Sequence, residues 1–134
     1  MAVTKILIAD DHPLFRGALK QALTDSFQNI QIDEVRSLQE IIEYLAANTA
    51  PDLVLLDLKM PGVEGFSGLL YLRAQFPDLP VVVVSATETP AVIHNSLGVG
   101  ASGFIPKSTP VEMIREAVKE VLNGDIWAPD WLGE

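Results

Sequence analysis

Short, nearly unbroken apolar runs alternate along this chain with stretches in which apolar residues recur every three or four positions. The first run, Lys5-Ile6-Leu7-Ile8-Ala9, has the near-continuous hydrophobicity of a strand buried on both faces. After Asp10-Asp11-His12, Pro13 suits the first position of a helix, where its missing N–H costs nothing. Leu14, Phe15, Ala18, Leu19, Ala22, Leu23 and Phe27 then follow at helical spacing and predict one apolar stripe. A weaker strand is expected near Ile30 to Arg36, with Ile32 and Val35 as its main apolar residues. Ser37 and Glu40 form a capping-box signal for a helix carrying Leu38, Ile41, Ile42 and Leu45.

The alternation continues. Leu53-Val54-Leu55-Leu56 predicts a buried strand ending at Asp57, before a Pro/Gly-rich loop, Met60 to Gly65. A helix over roughly Phe66 to Gln75 precedes the strand Val81 to Val84, which ends at Ser85. A helix around Pro90 to Leu97 leads through Gly98 and Gly100 to a short strand, Gly103-Phe104-Ile105, with Lys107 just beyond it. Thr109 as N-cap, Pro110 at the first position and Glu112 as the capping acid open a last helix, which Asn123-Gly124 stops after Leu122. Five strands alternating with five helices imply an α/β fold, a parallel sheet covered on both faces through right-handed crossovers.

Composition narrows the picture. The 134 residues suit one domain, expected over residues 1–124, with a short tail over 125–134 that carries Trp127 and Trp131. Eighteen acidic residues against nine basic ones give a net charge of −9, which disfavours direct contact with a phosphate backbone. The absence of cysteine excludes a disulfide scaffold, a thiol nucleophile and a thiolate metal site, and fits a cytoplasmic protein. No basic-plus-apolar leader is visible, and no apolar run approaches the ~20 residues that span a bilayer, so no membrane partner is expected.

The chemistry collects where strands end. Asp10 and Asp11 follow the first strand, Asp57 the third, Ser85 the fourth and Lys107 the fifth, and sites in open α/β sheets form along that edge. Three carboxylates meeting there repel one another, so one protonates or a hard divalent cation enters. Magnesium fits, because it takes oxygen ligands and completes its shell with water and phosphate oxygens. A hydroxyl and an ammonium facing the same spot suit a phosphoryl group, and a carboxylate can accept one covalently.

Four runs carry a resemblance: Ile8-Ala9-Asp10-Asp11-His12-Pro13, Leu56-Asp57-Leu58-Lys59-Met60-Pro61-Gly62, Ser85-Ala86 and Gly103-Phe104-Ile105-Pro106-Lys107. In this order they resemble the receiver domain of bacterial two-component response regulators, over about residues 4–123. The opening Asp10 to Arg16 and the segment Gly100 to Phe104 are most similar to regulators of the LuxR/NarL type, whose output is a helix-turn-helix domain. The resemblance implies a flavodoxin-like sheet of order 2-1-3-4-5. It implies that Asp57 accepts a phosphoryl group from a sensor histidine kinase. Mg2+ would be held by Asp11, Asp57 and the backbone carbonyl of Lys59, with Asp10 reaching it through a water. Ser85 and Lys107 would bind phosphoryl oxygens, and Phe104 would be the switch aromatic. A transcriptional output would pass through the surface of the fourth helix, fifth strand and fifth helix, with homodimerisation on phosphorylation. DNA would be reached only through a C-terminal helix-turn-helix domain absent from these residues, and the tail would begin an interdomain linker.

Where many receivers have threonine, tyrosine and proline, this chain has Ser85, Phe104 and Ser108. Neither His12 nor His94 is assigned a role. Other functions fit less well. A phosphohydrolase of the haloacid-dehalogenase type needs a second acid two residues after its nucleophile, where this chain has Lys59. A flavodoxin-like cofactor site needs a Ser/Thr/Gly-rich phosphate loop after the first strand, where this chain has Asp10-Asp11-His12-Pro13. A phosphate-independent protein-binding module of the same fold remains the main alternative. On the leading reading the chain is a phosphoacceptor rather than an enzyme, at most catalysing its own phosphorylation and dephosphorylation.

Overall fold

A computed structural model describes residues 3–129. Strands β1 (Thr4–Ala9), β2 (Ile30–Val35), β3 (Leu53–Asp57), β6 (Val81–Ser85) and β7 (Gly103–Pro106) form one sheet. Between β3 and β6 lies a small antiparallel ribbon, β4 (Lys59–Met60) with β5 (Val63–Glu64). The helices are α1 (Pro13–Ser26), α2 (Leu38–Ala47), α3 (Ser67–Gln75), α4 (Pro90–Val99) and α5 (Val111–Leu122). Every pairing in the main sheet is parallel and the order is β2-β1-β3-β6-β7. Counting only the five main strands, this is the expected 2-1-3-4-5.

The near-continuous apolar runs exist because successive residues of each strand serve opposite faces. Leu7, Ala9, Val54, Leu56, Val81, Val83 and Phe104 lie in one buried cluster, which takes Ile41 and Leu45 from α2, Leu69 and Leu72 from α3 and Ile93 from α4. Ile6, Ile8, Leu53, Leu55, Val82, Val84 and Ile105 lie in the other, with Leu19 and Leu23 from α1 and Ile114, Ala117, Val118 and Val121 from α5.

Three local readings change. Leu14 is not part of the α1 stripe: it is 91% exposed, and Ala18, one turn on, is exposed as well. The side that meets the sheet runs through Phe15, Leu19, Ala22 and Leu23, a narrower band set about 100° around the helix from Leu14. The N-cap of α5 is Pro110 rather than Thr109. Pro110 keeps an extended backbone (φ −58°, ψ 147°) while its carbonyl accepts the N–H groups of Met113 and Ile114, and no side chain caps this end. The loop after Asp57 contains the β4–β5 ribbon, turned at Pro61-Gly62. Gly62 has φ +84°, which glycine adopts without strain, and a Cβ there would meet the Leu38 Cβ at 3.1 Å.

The start of the tail is not loose. Trp127 lies beside the sheet edge and bridges to Gly103 in parallel, with Phe104 N–H donating to the Trp127 carbonyl (3.1 Å) and Trp127 N–H to the Ser102 carbonyl (3.1 Å). Gly103 permits this approach, because a Cβ there would stand 3.0 Å from the Trp127 carbonyl oxygen. Trp131 lies outside the described residues. Among the described residues no helix is long and apolar enough to cross a membrane.

On the α2 side, Tyr44 donates its phenol to Asp33 Oδ2 at 2.6 Å. Burial, then the hydrogen bond and the charge of Asp33, hold this phenol well above its ordinary value. A raised folded-state pKa means that this stabilisation is complete below the unfolded value of about 10 and declines as pH rises beyond it. Tyr44→Phe is therefore expected to cost about 1 kcal/mol at neutral pH and to flatten the alkaline decline. Urea unfolding at a series of pH values from neutral upward measures both effects.

Candidate functional site: an acidic pocket with a lysine and a histidine

The strand order reverses between β1 and β3, and the crevice opened there lies at their carboxyl ends. Asp10 follows β1, and its backbone N–H donates to the Val35 carbonyl of β2 at 3.0 Å. Asp57 is the last residue of β3, paired in register with Val84 of β6. Both side chains are almost fully buried, at 3% and 2% exposure, whereas Asp11 keeps 35%. Lys107, beyond β7, is drawn to the same spot by its backbone N–H, which donates to the Ser85 carbonyl at 2.9 Å.

The pocket is strongly polarised. The Lys107 ammonium lies 2.9 Å from Asp10 Oδ2 and 3.2 Å from Asp57 Oδ2, and it stands over the Phe15 ring at 4.8 Å from the centroid. Asp57 Oδ1 accepts the backbone N–H of Lys59 at 3.1 Å, while the Lys59 side chain is exposed. Asp10 Oδ1 accepts the backbone N–H of His12 at 2.7 Å. Asp10 Oδ2 and Asp11 Oδ1 are buried but accept no properly aligned hydrogen bond, so the nearby ammonium is only a charge contact for the former. Buried carboxylate oxygens without donors are costly unless a cation serves them. Oxygen atoms from Asp10, Asp11 and Asp57, with a nitrogen of His12, all lie within 4.8 Å of one another. The donor set is hard and oxygen-rich, and suits a divalent cation.

Ser85 is fully buried at the end of β6, where its Oγ accepts the Thr87 N–H at 3.0 Å. Phe104 is also fully buried, in the cluster beneath α2, α3 and α4. The structure thus brings Asp10, Asp11, Asp57 and Lys107 together, and places Ser85 and Phe104 on the two neighbouring strands β6 and β7. The peptide bond between Lys107 and Ser108 is trans.

Two residues were not legible as part of this site. His12 turns its Nδ1 to 3.0 Å from Asp10, 3.3 Å from Asp11 and 3.3 Å from Asp57. Arg16 donates to the Asp10 carbonyl at 2.7 Å and to Glu34 at 2.9 Å, so it ties α1 to β2 behind the acids. Adjacency to two aspartates was the only sequence signal for His12, and nothing in the sequence linked Arg16 to Glu34. His94 is exposed on α4, away from these residues.

The response regulator receiver domain family matches residues 6–119. The chain belongs to this family. A glycerol metabolism activator of Pseudomonas putida is 42% identical over 93% of the chain, and a nitrate/nitrite response regulator protein homolog of Haemophilus influenzae is 33% identical over 94%. The receiver spans 57% and 60% of the length of these two relatives. The crystal structure of a LuxR family DNA-binding response regulator from Silicibacter pomeroyi superposes with a TM-score of 0.85 at 31% identity, over 96% of this chain and 98% of that one. The chain is therefore a receiver domain of a two-component response regulator, with relatives of the LuxR/NarL type, and it is a signalling domain.

Like charges crowd this receiver's pocket, and Asp11 is its most solvent-exposed carboxylate. Asp11→Asn is expected to stabilise the fold by about 1 kcal/mol at low salt without divalent cations, since it removes repulsion and keeps the shape. Urea midpoints of the two proteins measure this, and added salt is expected to shrink the difference.

Proposed function

We propose that Asp57 is the phosphoacceptor of this receiver and that a sensor histidine kinase is its donor. The observation that carries the reading is the meeting of Asp10, Asp11, Asp57 and Lys107 at the point where the strand order reverses. Asp11, Asp57 and the carbonyl of Lys59 would hold Mg2+, with Asp10 supporting it. When bound, the ion neutralises the acids and offsets negative charge on a phosphoryl group.

In the transfer itself, an Asp57 carboxylate oxygen bonds to the phosphorus of the donor's phosphohistidine. The P–N bond breaks toward the imidazole, which keeps the electron pair, and the phosphoryl unit moves intact to leave an acyl phosphate on Asp57. Lys107, already 3.2 Å from Asp57 Oδ2, pairs with one phosphoryl oxygen, and Ser85 Oγ leaves the Thr87 N–H to bond another. Phe104 sits one strand away from Ser85, so movement of Ser85 is felt by the α4–β7–α5 surface. A partner, including a second copy of the chain, responds only as far as it binds the two arrangements of that surface with different affinity.

The domain is assigned to residues 1–124, with 125–134 as the start of an interdomain linker. The relatives' greater length supports a C-terminal helix-turn-helix domain as the route to DNA. An acidic chain of net charge −9 is poorly suited to that contact itself. A cytoplasmic site of action is consistent with this partnership.

Intact mass after incubation with acetyl phosphate or phosphoramidate and Mg2+ tests the reading. One phosphoryl adduct is expected, lost completely with EDTA or in Asp57→Asn. No adduct from either donor, with the fold intact, overturns it in favour of a phosphate-independent binding module.

A further inference from the structure

His12 is one of only two histidines in the chain, and its imidazole turns into the acidic pocket while the other stays on the surface of α4. Its backbone is fixed from both sides. Pro13 holds the preceding residue to an extended conformation, seen as φ −96° and ψ 100° at His12. The His12 N–H is bonded to Asp10 Oδ1, and its carbonyl accepts the Arg16 N–H at 3.0 Å. The ring is thus presented to the carboxylates by the first turn of α1.

The surroundings of Nδ1 cannot be satisfied by any one protonation state of the ring. Three carboxylate oxygens stand 3.0, 3.3 and 3.3 Å away and call for a donor. The Lys107 ammonium stands 2.9 Å away and calls for an acceptor. With a proton on Nδ1, the ring meets the acids but opposes the ammonium. With the lone pair there, it meets the ammonium but opposes the acids. A divalent cation that displaces the ammonium from Nδ1 removes the conflict, because it takes the nitrogen lone pair and the carboxylate oxygens together, and Lys107 keeps Asp57 as its partner.

The spacing agrees. Neighbouring ligand atoms on an ion bound at about 2.1 Å lie about 3.0–3.4 Å apart in octahedral or tetrahedral geometry. The nitrogen-to-oxygen distances fall in that range. Asp11 Oδ1, buried without a hydrogen bond, and Asp10 Oδ2, held only by its charge contact with Lys107, favour added positive charge at the same place. Imidazole suits first-row transition ions far better than Mg2+, which prefers oxygen and retained water.

We infer that His12 is a nitrogen ligand that lets this pocket bind a first-row transition cation such as Co2+, Mn2+ or Zn2+ in preference to Mg2+. The inference rests on the acids being a metal site, as proposed above, and adds that the imidazole sets which metal wins. It concerns the unphosphorylated chain and needs no turnover.

The test uses the untagged chain, with Co2+ followed by its visible absorption and Mg2+ by competition against it. His12→Ala changes a side chain that is 57% exposed, so the fold is expected to persist, and circular dichroism checks this. His94→Ala is the control for a histidine outside the pocket. His12→Ala is expected to weaken Co2+ at least about tenfold and Mg2+ by less than about twofold, the loss typical of one nitrogen ligand. Pulsed EPR of bound Mn2+ is expected to show nitrogen coupling in the wild type and in His94→Ala but not in His12→Ala. An unchanged ratio of Co2+ to Mg2+ affinity in His12→Ala, or no nitrogen coupling in the wild type, overturns the inference while leaving Asp57 as phosphoacceptor intact. A wild-type chain that binds neither metal overturns both.

Discussion

Three carboxylates are forced together at the end of a parallel sheet, and the rest of the pocket is organised around the cost of that meeting. Two unit charges 4 Å apart repel by about 4 kcal/mol at an effective dielectric of 20. Asp10 and Asp57 are almost without solvent to screen that repulsion. The backbone supplies part of the relief, through the N–H groups of His12 and Lys59. Lys107 supplies most of the rest, from a strand two places away from Asp57 in the sheet order. What these groups leave without a hydrogen bond are two buried oxygens, Asp10 Oδ2, which has only its charge contact with Lys107, and Asp11 Oδ1, and both favour further positive charge at the site.

Such crowding persists only on a scaffold that does not yield, and the two-faced core provides it. Each central strand sends alternate residues into opposite clusters, so shifting a strand by one residue exchanges its two sets of contacts. Register is therefore fixed, and with it the ends of β1, β3, β6 and β7 where the site residues sit. The edge at β7 is finished by Trp127, whose carbonyl takes the Phe104 N–H. The backbone of the proposed switch aromatic is thus bonded directly to the start of the tail, at Trp127.

Strand and helix periodicity carried nearly the whole fold, because both faces of the sheet are covered and each strand reads as an uninterrupted apolar run. Asp10, Asp11, Asp57, Ser85 and Lys107 were legible for the same reason, since a residue that ends a buried strand is placed by the sheet. Leu14 misled because a helical stripe leaves its angular limits undefined until the helix is docked. Thr109 misled because Pro110 can open a helix from either the cap or the first position, and only the backbone angles decide which.

The sequence by itself determined the order of elements, the residues at the strand ends and the acidic balance, all of which depend on local pattern and chain order. The tertiary structure alone decided where His12 points, what Arg16 holds and how Trp127 meets Gly103. Those contacts join residues separated in sequence, or depend on a rotamer among several open to an exposed side chain. No local pattern encodes them, and they become definite only when packing has fixed the neighbours on every side.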